Sequence, residues 1–397
     1  MFKSGNCVFD VVFLSSVDWD FHWTRMHQLA SRLALSRTVI YMEPFGLRCI
    51  RLSDLPRLVR RVTRWFGKGD TTRLRHEPVS PSLHVHNAWY IPFPQVNWVC
   101  QVNKVLAVWQ IRKLLNRYNL KQPVLFVSAP SSAAVALADC NDFSLVVFDY
   151  VDEYARLVPG NAQRITVDET ALLTKSDLVI AVSRGLYNRL NQANRHTFLV
   201  PNACEPEHFR RAVNVGLQLP EDLSSIQRPI IGYVGGIADW FDDDLVRFIA
   251  FQHPDWSIVL IGPCYLSSPR SVQPGNVNYL GRKPYSQLPD YIKSFDACLI
   301  PFRTEGIGAT VLPVKMFEYL AAGKPIVSTN LPEVRPYGDV VCVAATHVDF
   351  VRGIEHALLT QDDREKISKR LAVAELNSWN ARVNTITELI CESLNNK

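Results

Sequence analysis

Short, almost continuously apolar runs alternate with helix-length stretches along most of this chain. Runs of this kind, rich in β-branched and aromatic residues, are typical of parallel strands whose two faces are covered by helices. The alternation therefore predicts parallel sheets with right-handed crossovers. A first series of predicted strands comprises Val8–Leu14, Thr38–Met42, Leu83–Tyr90, Val124–Ser128, Leu145–Tyr150 and Leu178–Val182. A second series comprises Ile230–Val234, Ser257–Ile261, Asn278–Leu280, Ala297–Pro301, Pro325–Ser328 and Val340–Ala344.

The pattern restarts after about Pro201, which predicts an α/β fold with two Rossmann-like, doubly wound domains that face a central cleft. A chain of 397 residues is long enough for both. We place the first domain at residues 1–205 and the second at 206–374. A helix at 375–397 should cross back to the first domain. Because ligands of such sheets bind beyond the carboxyl ends of the strands, functional residues should directly follow the predicted strands.

Composition excludes several other classes of protein. Hydrophobic residues make up 47% of the chain and charged residues 20%, as in ordinary folded domains. No window approaches the ~18–20 unbroken apolar residues that a membrane-spanning helix needs. The nine cysteines are widely spaced and form no CxxC pair, which excludes a disulfide framework or a zinc ribbon. Their distribution favours a reducing compartment, and we expect the protein in the cytoplasm.

The most informative block covers residues 313–327. Proline at its start suits the first turn of a helix, whereas Gly323 and Pro325 mark the helix end. Lys315 and Glu318 are three residues apart and so share one helical face. A cation near a helix N-terminus opposes the helix dipole, and a bound phosphate would resolve that conflict. Glu318 could then accept hydrogen bonds from two ribose hydroxyls, but an ordinary surface ion pair fits the same spacing.

Two segments at the start of the second domain also have alternative interpretations. Gly235 and Gly236 end the stretch Gly232-Tyr-Val-Gly-Gly236, where missing side chains would let backbone N–H groups approach a pyrophosphate. The stretch lacks the GxGxxG pattern, and glycine can equally serve close packing there. Asp242-Asp-Asp244 could hold Mg²⁺. We favour a helix start instead, because acidic residues complement the helix dipole and apolar residues follow at helical spacing.

Acidic residues also follow a buried strand of the first domain. Asp149, Asp152 and Glu153 stand at its end, where desolvation and mutual repulsion make carboxylates costly. Asp149 and Asp152 are therefore candidate catalytic bases, although Asp152 could instead cap a helix. His22, after the first strand, is a further candidate proton acceptor or else a structural histidine.

Three more residues near His22 are candidates for acceptor binding. Asp18 follows the same strand and should face the carboxylates. Trp19 and Trp23 offer flat faces to a sugar ring or a lipid. The two tryptophans could equally fill the interface between the domains.

The charge of the chain is concentrated in one segment. Between Arg48 and Arg75 there are nine Lys or Arg and two Asp, a balance of +7, whereas the whole chain carries +5. Apolar residues at helical spacing are interleaved with the basic ones, as in a helix that lies on anionic lipid. A solvated helix packed on the domain is the alternative, and no nucleic-acid-binding module accompanies the patch. The predicted membrane-contacting residues are Arg57, Arg60, Arg61, Arg64 and Trp65.

The 313–327 block resembles the donor-binding helix of GT-B glycosyltransferases, particularly family 4 and its teichuronic-acid-type branch. Other stretches are similar to that branch and occur in the same order over nearly the whole chain. They are Trp19-Asp-Phe-His-Trp-Thr-Arg25, Phe148-Asp-Tyr-Val-Asp-Glu153, Val200-Pro-Asn-Ala203 with His208-Phe209, Gly232-Tyr-Val-Gly-Gly-Ile237 with Trp240, Leu260-Ile-Gly-Pro263, Leu280-Gly-Arg-Lys-Pro-Tyr285 and Leu288-Pro289.

The resemblance implies the GT-B fold and a nucleotide-sugar donor, UDP- or GDP-linked, in the second domain. It implies that Glu318 binds the ribose, that Lys315 with the 235–236 turn binds the diphosphate, and that the 281–285 loop contacts the base. The donor residues it implies are Gly235, Gly236, Gly262, Arg282, Lys283, Tyr285, Glu305, Lys315 and Glu318.

The chain departs from the family pattern at two positions. Thr310 stands about where the family's first glutamate is expected, and Glu305 with its glycines lies further upstream. Either a short insertion displaces that glutamate or the sugar contact differs. Gly236 occupies the place of the family's usual arginine, so Lys315 would carry more of the diphosphate charge. The helix N-terminus and Lys315 would then act in place of a metal ion.

These features together predict a cytoplasmic glycosyltransferase of the hexosyltransferase type, with no cofactor and no metal. It would transfer sugar to a lipid-linked saccharide at the anionic inner face of the membrane, for a surface or extracellular polysaccharide. If the reaction inverts the anomeric centre, Asp152 or Asp149 is the base; if it retains the configuration, those carboxylates orient the acceptor. A nucleotide-sugar epimerase on the same fold and a non-catalytic nucleotide-sugar-binding protein are the alternatives.

Overall fold

In the computed structural model the chain divides into two compact units. The structure describes residues 7–20, 23–46, 80–93, 96–213, 219–265 and 274–397. The first unit contains the described residues up to Val182, together with Leu186–Val200 and Val383–Lys397. The second unit contains Ser183–Gly185 and the described part of Pro201–Arg382. The predictions for His22 and for the basic segment 48–75, including its five membrane-contacting residues, lie outside the described residues.

The first unit is built on a seven-stranded parallel sheet with the order β3-β2-β1-β4-β5-β6-β7. Its central strands are fully buried, because helices follow them and cover the faces of the sheet. The strands are β1 (Val11–Leu14), β2 (Val39–Met42), β3 (Leu83–His86), β4 (Val124–Val127), β5 (Leu145–Tyr150), β6 (Leu178–Ala181) and β7 (Thr197–Leu199). The helices are α1 (Arg25–Leu33), α2 (Asn97–Tyr118), α3 (Ser132–Ala138), α4 (Tyr154–Leu157), α5 (Ala162–Lys175) and α6 (Arg184–Ala193), whose first residues count with the second unit.

The second unit repeats the plan with a six-stranded parallel sheet in the order β10-β9-β8-β11-β12-β13. The strands are β8 (Ile230–Val234), β9 (Ser257–Ile261), β10 (Val277–Gly281), β11 (Ala297–Ile300), β12 (Ile326–Thr329) and β13 (Cys342–Ala344). The helices are α7 (Pro206–Arg210), α8 (Asp243–Gln252), α9 (Leu288–Ser294), α10 (Val314–Ala321), α11 (His347–Leu359) and α12 (Arg364–Leu376). The strands are added outward in one direction from β8 to β10 and in the other from β11 to β13, so the carboxyl ends of β8 and β11 flank the natural binding crevice.

The last helix, α13 (Trp379–Asn395), belongs to both units. Its residues up to Arg382 count with the second unit and those from Val383 with the first. In the first unit, the Lys397 ammonium lies 2.8 Å from the Asp177 carboxylate and donates to the Ser144 carbonyl at 2.9 Å. These polar contacts fix the end of the chain on the sheet of the first unit. Among the described helices, none is both long and apolar enough to cross a membrane.

The predicted strands correspond to strands of the structure with shifts of up to three residues at their ends, the largest at β1, which begins at Val11 and not at Val8; two differences are greater. β7 is a three-residue edge strand with only a short apolar run, Phe198-Leu-Val200, and the predicted strands do not include it. The predicted strand Leu83–Tyr90 ends early at His86. After it, the side-chain amides of Gln110 and Asn103 on α2 bond to the backbone of Trp89 and Ile91 at 2.7–2.8 Å. These amides replace a neighbouring strand, so the chain stays extended without joining the sheet.

Candidate functional site

The centre of the candidate site is a close backbone approach between two strand ends of the second unit. Gly235 follows β8 and Gly262 follows β9, and both have positive φ angles, +154° and +141°. A Cβ on Gly262 would lie only 2.0 Å from the carbonyl oxygen of Gly235. Gly262 therefore requires glycine, because a side chain would collide with backbone atoms that cannot move away, whereas a Cβ on Gly235 would meet the side chains of Lys315 and Tyr233. The N–H groups of both glycines donate to neighbouring strands, Gly235 to the Ile261 carbonyl and Gly262 to the Gly281 carbonyl, so the close approach is part of the sheet edge.

We expect Gly262→Ala to destabilise the second unit strongly. The unfavourable φ angle costs about 1–3 kcal/mol, and the clash adds a similar overpacking cost of about 1–3 kcal/mol. Urea unfolding followed by circular dichroism should show a lower midpoint for the variant. Gly275→Ala is the matched control, because a Cβ there meets nothing within 4 Å. Equal midpoints for the two variants would contradict the close approach.

Lys315 lies directly over this glycine turn. The helix α10 begins at Val314, as the position of Pro313 predicted, and Lys315 is its second residue. The Lys315 Nζ lies 4.5 Å from the ring centroid of Phe302 and 5.1 Å from that of Tyr233. A Cβ on Gly235 would come within 2.9 Å of the same Nζ. The ammonium is thus held against the turn by two aromatic faces.

Among the described residues, no carboxylate lies within salt-bridge distance of the Lys315 ammonium. Cation–π contacts with two rings contribute only about 0.5–1 kcal/mol each at partly exposed sites. The first N–H groups of α10, which have no partners within the helix, add positive potential at the same end. A half-buried cation without a counter-ion beside orphan N–H groups is an arrangement suited to a phosphate or diphosphate.

Glu318 lies one turn further along α10 and is also half-buried. Its charge interacts with Lys315 and with a second carboxylate, Glu205, which precedes α7. Glu205 accepts a hydrogen bond from the Tyr285 hydroxyl at 2.9 Å. The Tyr285 ring stacks on His208, with ring centroids 4.6 Å apart. Glu318 is therefore the edge of a larger polar cluster that α7, α10 and the loop after β10 form together.

The surroundings shift the proton affinities of both α10 residues. Loss of hydration lowers the pKa of Lys315 to about 8, and the nearby Glu318 carboxylate opposes the shift. Loss of hydration raises the pKa of Glu318 to about 7; the Lys315 ammonium opposes this, and the Glu205 carboxylate adds to it. Both side chains still touch water, which limits these shifts. The pair consequently titrates close to neutral pH, as groups poised for a ligand often do.

The other predicted donor residues have different surroundings. Gly236 follows Gly235 in the turn and receives the Tyr233 hydroxyl on its carbonyl oxygen at 2.8 Å. Arg282 and Glu305 are exposed on loops of the second unit. Lys283 forms an ion pair with Asp222, and its Nζ lies 5.3 Å from the Tyr291 ring centroid. Because this ammonium already has a carboxylate partner, Lys283 anchors its loop rather than offering a free charge to a donor.

The structure gives Asp149, a predicted base, another role. Its side chain is fully buried in β5 and receives two hydrogen bonds from the Arg25 guanidinium, each 2.9 Å long. Arg25, at the start of α1, is itself 4% exposed. A bidentate, buried pair of this kind holds both oxygens of the carboxylate. Asp149 therefore ties α1 to the sheet of the first unit, and the expectation that it acts as a base is not supported.

Asp152 is the carboxylate of this region that can reach a substrate. Its side chain is exposed to water just beyond β5, yet protein atoms crowd around it densely enough to raise the pKa of the carboxyl to about 6. Contact with water limits this rise in the pKa of Asp152, because water restores part of the solvation of its carboxylate. Glu153 next to it pairs with Arg156 at 2.9 Å.

The predicted acceptor-binding residues fall into two groups. Trp19 is fully buried, with its ring 4.9 Å from Tyr41 and 5.0 Å from His27 between centroids, and its backbone N–H donates to Glu43. It cannot present a face to an acceptor, so this expectation is wrong. Trp23 and Asp18 are half-buried and stay candidates, with the Trp23 ring stacked on His27. Nothing in the sequence distinguishes the buried Trp19 from Trp23, which lies four residues further along the chain.

The acidic run that could have suggested a metal site begins helix α8. The Asp242 carboxylate accepts a hydrogen bond from the Leu245 N–H at 3.1 Å, and Asp243 and Asp244 pair with Arg247. Within the described ranges, no group of three or more His, Cys, Asp or Glu side chains is arranged to hold a metal ion.

Residues 228–360 match the protein-family model described as "Glycosyl transferases group 1". This range contains the glycine turns, Lys315 and Glu318. This part of the second unit is thus similar to group 1 glycosyl transferase domains, and the solved structures described next show that the two parallel α/β units have the GT-B fold.

Three other proteins are similar to this chain, one in sequence and two in fold. A Bacillus subtilis (strain 168) protein assigned by its name to teichuronic acid biosynthesis, the glycosyltransferase TuaH, is 25% identical over 266 residues. That match spans 62% of this chain and 66% of the relative, slightly less than two thirds of its length. The Anabaena protein Alr3699/HepE, solved with UDP and glucose, has a TM-score of 0.64 at 13% identity, covering 96% of this chain and 99% of that one. WaaG, a glycosyltransferase involved in lipopolysaccharide biosynthesis, has a TM-score of 0.58 at 12% identity, covering 96% and 99%.

Proposed function

We propose that this protein is a glycosyltransferase that moves a sugar from a nucleotide diphosphate to a saccharide acceptor in surface polysaccharide biosynthesis. The observation that carries the proposal is the Lys315 ammonium, which lies over the Gly235–Gly262 backbone turn with no carboxylate partner in the part of the chain that the structure describes. The group 1 domain covers this place, and the Anabaena neighbour of the same fold was solved with UDP and glucose. We propose UDP as the first nucleotide to test and GDP as the second.

In this proposal each part of the second unit contacts one part of the donor. Lys315, the N–H group of Gly236 and the N–H groups at the start of α10 hold the diphosphate and stabilise it as it leaves. Gly235, whose N–H donates to the Ile261 carbonyl, shapes the turn. Glu318 accepts hydrogen bonds from the two ribose hydroxyls. The loop 281–285 lies against the base, and Glu305 on its exposed loop is the candidate for the sugar. Positioning and electrostatic stabilisation supply most of the catalysis. Lys315 and the N-terminus of α10 act in place of a metal ion.

The acceptor half of the proposal concerns the first unit. The teichuronic acid relative and the lipopolysaccharide neighbour both act, by their names, in the biosynthesis of cell-surface polymers. We propose a lipid-linked saccharide as acceptor, bound beside Asp18 and Trp23, with the protein peripheral at the inner face of the cytoplasmic membrane. The basic segment 48–75 stays a prediction for contact with that surface.

The role of Asp152 depends on the stereochemical course, and one substitution tests it. If the reaction inverts the anomeric centre, Asp152→Asn should lower kcat by about 10²–10⁴-fold, the usual contribution of a general base. UDP affinity should change little, because the base acts in the transition state. Asp142→Asn, on the surface of the same unit, is the control. A variant that keeps most of its turnover removes Asp152 as base and favours a retaining reaction.

Donor affinity should depend on pH with a maximum between about pH 7 and pH 8. Lys315 binds the diphosphate when charged, so affinity should fall as the pH rises through about 8, the pKa of its ammonium. Glu318 binds the ribose when ionised, so affinity should also fall as the pH drops below about 7. Calorimetric titration with UDP-glucose measures this, since its doubly esterified diphosphate has no proton to lose there. A flat profile from pH 6 to pH 9 would show that neither group contacts the donor.

Equilibrium binding of UDP to the full-length protein tests the donor half directly. The proposal predicts one UDP per chain and competition between UDP and UDP-sugars for the same site. If GDP also competes, the site is supported, but the experiment does not decide between UDP and GDP as the natural nucleotide. No binding of either nucleotide would overturn the proposal, because the charge over the glycine turn would then serve another anion.

A further inference from the structure

Helix α2 exposes an apolar stripe that the proposed transfer reaction does not use. Trp98, Val102, Val105 and Trp109 are 64%, 37%, 70% and 52% exposed. Their spacing of four, three and four residues puts them on one face, and at 1.5 Å per residue the stripe runs about 16 Å along the helix. The opposite face of α2, with Val99, Ala107, Ile111 and Leu115, is buried in the core of the first unit.

A surface helix normally has one apolar face and one polar face. Here both faces carry large apolar side chains, and the outer one includes two tryptophans. Leaving such a stripe in water has no benefit for folding, and contiguous exposed apolar patches generally mark places where something binds. The stripe therefore needs an occupant.

The charge of α2 indicates what that occupant is. The helix contains no Asp or Glu, and the basic residues Arg112, Lys113 and Arg117 follow the stripe on its exposed side. The Lys113 Nζ lies 5.4 Å from the centroid of the Trp109 ring, at the boundary between the apolar and basic parts. Arg112 is partly neutralised by Asp142 at 2.8 Å. The exposed face thus changes from apolar to cationic along the helix.

We infer that the exposed face of α2 lies on the membrane surface, with the tryptophans among the lipid headgroups and the basic end against anionic lipid. Tryptophan is the side chain most typical of the membrane–water interface, and each basic residue near an anionic surface adds to the attraction. A second copy of the chain is a poorer occupant, because a two-fold contact over the stripe would place α2 against another α2, which has no acidic residue to pair with the basic ones. The purpose of this contact rests on the proposed lipid-linked acceptor, but the contact itself requires neither donor nor transfer.

Vesicle binding of the full-length protein tests the inference. Sedimentation with phosphatidylcholine vesicles, with and without phosphatidylglycerol, should show binding that phosphatidylglycerol strengthens. The double variant Trp98→Ser/Trp109→Ser should bind at least about tenfold more weakly. Phe251→Ser/Leu359→Ser is the matched control, because those side chains of the second unit are equally exposed, at 67% and 86%. Lys113→Gln/Arg117→Gln should reduce binding to the anionic vesicles alone.

Salt separates this surface from the predicted basic segment. Raising the salt from about 0.1 M to about 1 M shortens the Debye length from about 10 Å to about 3 Å and removes most electrostatic attraction. Wild-type protein should then keep more residual binding than the tryptophan variant, because the apolar contact does not depend on charge. Every variant should bind UDP as tightly as the wild type does. This result would show that the variants are folded and that the vesicle-binding surface is independent of the donor site.

Three outcomes would overturn the inference. If the wild-type protein binds vesicles neither with nor without phosphatidylglycerol, it has no such surface. A tryptophan variant that binds vesicles as the wild type does would place the contact elsewhere. A variant that loses several degrees of thermal stability, or converts a dimer to a monomer, with unchanged vesicle binding would show that protein covers the stripe.

Discussion

Lys315→Met should weaken UDP binding about tenfold to a hundredfold while leaving the protein folded. Methionine keeps the length of the side chain and its packing between Phe302 and Tyr233, but it removes the charge. A hydrogen bond to a charged group contributes about 1.5–3 kcal/mol, which corresponds to that change in affinity. Because the ammonium has no carboxylate partner among the described residues, its loss leaves no protein group unpaired, and stability should not fall. Isothermal titration calorimetry with UDP measures the affinity.

Two other lysines serve as controls for this experiment. Lys369 lies on α12, exposed and paired with Glu365, so Lys369→Met should leave UDP affinity unchanged. Lys283 pairs with Asp222 in the second unit, and Lys283→Met should have a much smaller effect than the change at Lys315. If the substitution at Lys283 is the more damaging of the two, the diphosphate lies over the 281–285 loop and not over the glycine turn.

Arg25→Met should have the largest effect on stability, lowering the free energy of unfolding by about 3–5 kcal/mol. The substitution leaves the Asp149 carboxylate fully buried without its bidentate partner, and an unpaired buried charge is among the most costly single changes. Urea denaturation of the full-length protein, followed by tryptophan fluorescence, measures the change in the free energy of unfolding.

The double variant Arg25→Met/Asp149→Leu is the informative control for that loss. Replacing both members of a buried ion pair by apolar residues of similar size is often neutral or even stabilising. Most of the lost stability should therefore return in the double variant. A double variant less stable than Arg25→Met alone would show that Asp149 has a further partner, and its candidacy as a catalytic group would reopen.

The fold could be predicted well from the sequence because its strands are buried on both sides. β5, β8 and β9 have the predicted bounds. An uninterrupted apolar run of this length is stable only where both faces of the strand are buried. The edge strand β7 gives a weaker signal, because its apolar run is short and one of its faces is open to water. The early end of β3 depends on Asn103 and Gln110, which are distant in sequence and ordinary in composition.

The candidate site was predictable only where its residues are local in sequence. Lys315 and Glu318 share a helix face whose start and end are marked by Pro313 and Gly323, so spacing alone was informative. The Tyr285–Glu205 hydrogen bond and the Arg25–Asp149 pair join residues 80 and 124 positions apart. A single sequence does not indicate which residues so far apart will contact each other. For Asp149 the sequence indicated a costly buried carboxylate correctly but could not show that an arginine already stabilises it.

The most direct test of the central claim is the transfer of labelled sugar from a nucleotide donor to a membrane lipid extract. Wild-type protein incubated with a panel of UDP- and GDP-sugars should move label from one of them into the lipid fraction, and the Lys315→Met variant should do so much more slowly. An isomerised nucleotide sugar without any transfer would identify an epimerase instead. Tight UDP binding with neither transfer nor isomerisation across the panel would contradict the account and leave a nucleotide-sugar-binding protein.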